Sequence, residues 1–523
     1  MAGACAFAVG EPPPVDKPAA AVSPLGAPDS VPTPDRPVGW RGDGTGRYPG
    51  AKPPLVWERR RTDRGYTTTN ILWSVKLPDW SVASPIVVGD RIFITAEPGD
   101  MVCLDKRTGR ILWIRSNVES EGIPEEELKV EPAYASQVAP LIARLAATNE
   151  QVMAVLNAAI APDGVLETGR AAIDAVLKAK RALQSDIYKS LLAIDKKKYD
   201  RYWAQAVFGF AGPTPCSDGK QVYVFFTTGI TACYDLDGHR KWIVRGKGGC
   251  SEHGNFASPI VVAGKVVVWA AEMRAYDTAS GRLAWRVPGV NGNTYGSMFT
   301  FKVKDADVAA FQSGFFVAVR DGQPVFGAHR FGDSTSTPVV EDGSIYAWVG
   351  YPRNAEGLGF KSYRIPETLD GKLAPTKTFK IEWDKGELAD ADMKHPFDRS
   401  FVASPLYVDG LIYQLSEGGG LVVSDAKTGD LVYRKVLDMK PKTSYWNWAG
   451  ASASPTLAGQ HIYLMDNRGT TVVIKPGRAY VEEARNVLEN LAGKEQEQNL
   501  TTPVFDGERM YYRGHEYLYC IGN

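Results

Sequence analysis

From residue 70 onward, short runs of β-branched and aromatic residues alternate with Gly- and Asp-rich turns. Ile86-Val87-Val88, then Gly89-Asp90, then Arg91-Ile92-Phe93-Ile94 reads as two strands joined by a tight hairpin. The phrase returns as Val266-Val267-Val268 and as Leu411-Ile412-Tyr413 after Asp409-Gly410. Each full copy opens on Ser-Pro at Ser84-Pro85, Ser258-Pro259 and Ser404-Pro405. Each then carries an Asp turn ending in Thr108-Gly109, Ser280-Gly281 or Thr428-Gly429, and closes on Trp113, Trp285 or Tyr433. Weaker copies begin at Thr214-Pro215, Gly296-Ser297, Thr337-Pro338, Ser454-Pro455 and Thr502-Pro503, which makes eight.

Each step has a physical reading. Proline is tolerated at the first residue of a strand. Uniformly apolar strands suit burial on both faces. In the second turn Asp bonds backbone amides and Gly takes the left-handed conformation. A closing Trp is a large apolar plate for wedging between sheets. Four strands per unit, with steps such as the 44 residues from Pro215 to Pro259, predict an all-β, eight-bladed β-propeller of four-stranded blades.

The last copy, Leu518-Tyr519-Cys520-Ile521, lacks a closing Trp, while Asn70-Ile71-Leu72-Trp73-Ser74-Val75 stands unattached near the start. Residues 70–75 are therefore expected to be the outer strand of the eighth blade, closing the ring and removing open edges. Two steps are too long. Between Trp113 and Pro213, Val138, Leu145, Val152 and Ala159 share one helical stripe, and Ile173, Leu177, Leu183, Ile187 and Leu191 fall on another. An antiparallel helical hairpin projecting from the ring, within residues 120–205, is expected. Residues 351–400 read as enlarged loops of the fifth blade. Residues 478–492 have helical composition, but the repeat phase places an outer strand there with Tyr480 in the Trp position.

The rest of the chain divides around residues 70–523, the propeller. Residues 1–37 read as a signal remnant and a disordered tether, with nine prolines between residues 11 and 37. Residues 38–69 form an N-terminal extension opening on Trp40-Arg41-Gly42-Asp43-Gly44. Met1 to Gly10 has the look of an export-signal tail, and Cys5 faintly that of a lipoprotein site, so a periplasmic or cell-envelope location is expected. Sixty basic residues balance sixty acidic ones, which gives no field to attract nucleic acid. No apolar stretch reaches the roughly 20 residues of a membrane span. Cys103, Cys233 and Cys520 share a repeat slot that Ala275 and Val423 fill elsewhere, so they read as packing residues. Cys216 and Cys250 could pair or remain free.

These repeats resemble the PQQ-like (quinoprotein alcohol dehydrogenase-like) superfamily. It includes quinoprotein dehydrogenases and the envelope protein BamB, and the likeness is strongest to exported bacterial members. The resemblance covers about residues 70–523 without the insertions. In the dehydrogenases a quinone lies on the propeller axis. The resemblance then implies that residues just before each inner strand face that axis. They are Trp80 and Ser81; His253 and Asn255; Asn293 and Tyr295; Asp333 and Ser334; Asp398 and Arg399; Tyr445, Trp446, Asn447 and Trp448; and Asn499. If the chain were such an enzyme, Asp398 would be the base and Arg399 a quinone contact. Trp446 or Trp448 would be the floor, with Trp80, His253, Asn255 and Asp333 on the rim. The sequence has neither the adjacent cysteines common in alcohol-oxidising members nor a Cys-x-x-Cys-His haem site. Glu252, His253 and Asp333 lack the density of hard oxygens that calcium needs, and the six histidines are scattered, so no metal site is assigned.

Two functions follow. The first is a non-catalytic exported propeller that binds a protein, peptide or envelope polymer through a propeller face or the helical hairpin. The second is a PQQ- and calcium-dependent oxidoreductase of alcohols or sugars.

Overall fold

A computed structural model describes residues 23–523, apart from 64, 162–168, 202–208, 250–256, 289–294, 312–313, 327–334, 350–358, 370–378, 387–401, 440–450 and 490–500. The architecture is all-β and of propeller type. The described strands form eight sheets, antiparallel within each repeat. In chain order these span residues 86–116, 216–245, 260–287, 299–318, 339–386, 406–436, 456–488, and finally 504–522 together with Ile71–Lys76. The strand near the start joins the last sheet as its pattern required: Trp73 lies opposite Cys520 and Ser74 opposite Tyr519. Arg513 braces this sheet against the first, donating from Nη1 to Thr95 O at 2.6 Å and from Nη2 to Asp79 O at 3.4 Å.

The turns behave as their residues dictate. Asp105 Oδ1 accepts the backbone N–H of Arg107 at 3.0 Å and of Thr108 at 2.8 Å, and Gly109 adopts φ +73°. Gly109 is needed for a second reason. A Cβ there would lie 2.6 Å from the Trp73 ring of the neighbouring sheet. The Trp73 indole N–H also donates to Arg107 O at 2.9 Å. The arrangement repeats around the molecule. Trp113 lies on Gly238, Trp242 on Gly281, Trp285 on Gly322 and Trp383 on Gly429. Each indole donates to a carbonyl of the turn it covers: Leu236, Thr278, Val319 and Ala426. Cys103, Cys233 and Cys520 pair across their strands with Trp113, Trp242 and Trp73, and all three are buried free thiols. Cys216 is also a buried free thiol, and Cys250 lies outside the described residues.

Four expectations need correction. Residues 23–37 are not a disordered tether. Gly507 N–H donates to Gly26 O at 2.7 Å, Gly50 N–H to Leu25 O at 2.9 Å, and Leu25 packs on the core. The outer strand of the seventh sheet is present as Glu482–Leu488, but Ala484, opposite Val473, holds the Trp position. Tyr480 packs edge-on against Tyr433 instead. The stretch 351–400 is not loop alone; it contains the third and fourth strands of its sheet, Gly359–Arg364 and Lys380–Gly386.

The helices Ala139–Asn157 and Arg170–Ile194 do not project as a free arm. Val152, Leu156, Ile173 and Leu177 join the core of the first sheet with Ile111 and Ile114. Asn157 pairs with the edge-strand backbone, its Oδ1 taking Ile111 N–H at 2.7 Å and its Nδ2 donating to Ile111 O at 2.9 Å. Lys180, 1% exposed, forms an ion pair of 2.8 Å with Asp100, which is fully buried. The outer edge of the seventh sheet is covered differently. The hairpin of Glu58–Thr62 and Gly65–Thr69 adds there through a parallel pairing with Glu482–Leu488. No helix of the described residues is long and apolar enough to cross a membrane.

Two stability outcomes follow. Trp242→Ala, which uncovers the Gly281 turn and leaves a void, is expected to cost about 3–5 kcal/mol, read as a lowered urea midpoint. Lys180→Ala strands the Asp100 charge in the core and is expected to cost about 3–5 kcal/mol by the same measurement.

Candidate functional site

The inner ends of the sheets meet at the Ser or Thr that opens each repeat. In seven of the eight its backbone N–H reaches sideways to the hydroxyl of the same residue in the next sheet. Ser84 donates to Thr214 at 3.0 Å, Thr214 to Ser258 at 3.1 Å, and Ser258 to Ser297 at 3.2 Å. Ser297 donates to Thr337 at 2.8 Å, Thr337 to Ser404 at 2.8 Å, and Ser404 to Ser454 at 3.0 Å. Thr502 of the last sheet donates to Ser84 of the first at 3.0 Å. A hydroxyl can accept in this way while the proline after it needs no donor partner.

This collar surrounds a cavity of about 740 Å³, counting the part open to solvent. Val82, Gly212, Tyr295, Thr335, Val402 and Ser452 complete the wall, and Trp40 also lines it. None of the described lining residues carries a charge.

Trp40 arrives with the N-terminal extension. Residues 37–45 lie along the innermost strands, beside Cys216, Pro259, Met298 and Pro338. Arg41 anchors the segment. Its side chain is 1% exposed, with Nη1 donating to Pro405 O and Nη2 to Pro455 O, each at 2.9 Å. Burial holds its pKa down at about 10. Arg41 has φ +58° and Gly42 φ +71°, so the backbone reverses here; a Cβ on Gly42 would lie 2.7 Å from Leu25.

A polar cluster flanks the cavity along the same segments that carry Val82 and Gly212. Trp80 stacks on His515 with ring centroids 5.0 Å apart. Glu97 donates its N–H to Trp80 O, and its carboxylate accepts the N–H groups of Phe210 and Ala211 at 2.7 Å and 2.6 Å. Burial pushes the Glu97 pKa up to about 7, aided by Asp79 and opposed by the two amides and Arg201. Arg181 of the second long helix pairs with Asp79 at 2.7 Å, so the insertion reaches this cluster. The Arg513 guanidinium is fully buried, and desolvation lowers its pKa to about 9.

Of the residues expected at the axis, Trp80 is half-buried against His515, while Val82 and Ser84 of its segment line the cavity. Ser81 is buried and donates to Ala211 O at 2.8 Å. Tyr295 lines the cavity as its repeat position implied. Asp398, Arg399, Trp446, Trp448, His253, Asn255 and Asp333 lie outside the described residues, as do Glu252, Asn293, Ser334, Tyr445, Asn447 and Asn499. The described residues contain no group of three or more His, Cys, Asp or Glu able to hold a metal. Sequence reasoning missed the collar, although a hydroxyl at all eight opening positions was its signal. It also missed Trp40 and Arg41, whose neighbours Gly39, Gly42 and Gly44 marked a close approach of backbone.

A family model described as outer membrane protein assembly factor BamB matches residues 65–155, 142–328 and 390–523. No curated protein matches the sequence. Among solved structures, a europium-containing methanol dehydrogenase is 12% identical, covering 84% of this chain and 84% of its own, with a TM-score of 0.50. BamB from Moraxella catarrhalis is 17% identical over 58% of this chain and 80% of its own, at 0.41. A quinohemoprotein alcohol dehydrogenase from Comamonas testosteroni is 13% identical over 86% and 76%, at 0.44. At these identities the likeness speaks to the fold alone.

The Glu97 site has a pH signature. Its folded pKa of about 7 lies above the ordinary 4.5, so between these values the folded protein holds a proton that the unfolded chain releases. Stability from this group is therefore full below about 4.5, falls as pH rises to about 7, and is level above. Glu97→Gln keeps an acceptor oxygen and removes the titration. Urea midpoints at pH 5 and pH 8 should fall more for the unaltered protein than for the variant; equal falls would contradict the assignment.

Proposed function

The chain belongs to the family of the outer membrane protein assembly factor BamB, and from that membership we propose that it is a non-catalytic binding propeller of the bacterial cell envelope. Its eight sheets close into one ring, with Ile71–Lys76 as the last outer strand. The pairing of Trp73 with Cys520 and the Thr502–Ser84 hydrogen bond support that closure. The protein is exported, and a protein, peptide or envelope polymer docks on a propeller face or the helical insertion. Among these a protein partner suits the family best.

The observation that carries the non-catalytic reading is Trp40 set into a cavity whose described lining is hydroxyls and apolar groups without charge. PQQ is a tricarboxylate, and with calcium it needs cations and hard oxygens in direct contact. Hydroxyls, Val82, Val402 and an indole supply no such set, so the described lining does not fit the quinone. The second long helix supports a docking role of a specific kind. With Lys180 and Arg181 tied to Asp100 and Asp79, the insertion would present a rigid surface to a partner.

Purified protein titrated with PQQ and calcium is expected to show no saturable binding by calorimetry and no dye reduction with alcohols or sugars. Stoichiometric binding with substrate-dependent dye reduction would establish the oxidoreductase instead, with Asp398 and Arg399 as the first residues to alter.

A further inference from the structure

The hydroxyl collar leaves a chemical imbalance on the axis. A Ser or Thr hydroxyl has one proton to give. At Ser84, Thr214, Ser258, Ser297, Ser404 and Ser454 the oxygen accepts one neighbouring backbone N–H. None of the six has an acceptor for its own proton among the described residues, and all six line the cavity. Thr337 differs, because it can donate to Ser297 O at 3.4 Å. The described wall therefore holds six O–H groups whose protons are not taken up by the protein.

The charge balance leans the same way. The Arg41 guanidinium donates to the carbonyls of Pro405 and Pro455, each one residue beyond a collar serine. Its Nε has no partner, and its central carbon lies 5.5 Å from the Trp40 ring that lines the cavity. Asp43, the nearby carboxylate, is exposed and accepts from Thr45 instead. A buried cation bonded only to neutral carbonyls keeps its full charge, and in a water-poor interior that field reaches across several ångströms.

O–H donors with no acceptor among the described residues, a described lining without charge and a buried positive charge behind it suit a guest that accepts hydrogen bonds and carries one negative charge. We propose that the axial cavity is a binding site for a single small inorganic anion of chloride size, held by collar hydroxyls above Trp40 with Arg41 supplying the field. The proposal does not depend on the partner reading and would survive its failure. Water is the competing occupant: it can take the donors but leaves Arg41 unneutralised.

The test uses the full chain. Thermal unfolding is followed in sodium bromide and in sodium gluconate at equal ionic strength, and crystals are soaked in bromide for anomalous diffraction. The expected result is a saturating rise of several degrees with bromide alone, and a bromide peak within hydrogen-bond reach of the collar. Arg41→Met should abolish the saturating rise. If that variant does not fold, Thr214→Val, which removes one donor with little change of shape, should weaken the bromide response several-fold. A melting temperature that follows ionic strength alone, a response unchanged in the foldable variant, or an axis holding only water in soaked crystals overturns the proposal.

Discussion

An indole that its own sheet cannot cover holds this molecule together. Trp73, Trp113, Trp242, Trp285 and Trp383 each stand on an outer strand and are buried by lying on the turn glycine of the next sheet. Burial of so large an apolar surface fixes the spacing of neighbours at the outer end. The collar hydrogen bonds fix it at the inner end. Where both attachments occur they set the angle between sheets, so the cavity is a consequence of the indoles as much as of the residues that line it. Where the indole is missing at Ala484, the chain supplies another. Trp57 of the N-terminal extension enters the same core cluster and stacks on Tyr463 at 6.1 Å.

Local chemistry made the sheets legible. The Asp and Gly turns, the apolar runs and the closing Trp each demand a residue type at a set spacing, and the repetition of that spacing outweighs any single weak match. The same logic reached the pairing of residues 71–76 with the last sheet, because a strand without a partner is as conspicuous as a sheet without an edge. It failed where contacts are distant and unrepeated. Nothing near Arg41 in sequence says that its guanidinium meets Pro405 and Pro455. Nothing near Lys180 names Asp100 as its partner. Proline-rich composition suggested disorder before residue 37, yet Leu25 and Gly26 find partners near residues 50 and 507. Of the candidate site, the phase of the repeat identified which segments approach the axis. In the first segment the cavity is lined by Val82 and Ser84, while Trp80, two residues earlier, stacks on His515.

The functional reading rests on the character of this inner surface. Hydroxyls that accept one another's backbone N–H groups make a firm wall, uncharged among the described residues. The charged groups gather instead beside it, around Glu97, Asp79, Arg181 and Arg513, where the helical insertion and the junction of the first and last sheets converge.

That junction also orders events in time. Trp73 meets Cys520 across a separation of almost the whole polypeptide, and Arg41 must wait for the segments at 405 and 455. Closing so long a loop is costly in entropy and slow, while the intervening sheets can form from local contacts as they are synthesised. Assembly is thus back-loaded: Ile71–Lys76 and Arg41 settle only after the segments they pair with are made. Until then the last sheet presents an unpaired backbone edge at Tyr517–Gly522, the kind of edge that invites pairing with another chain.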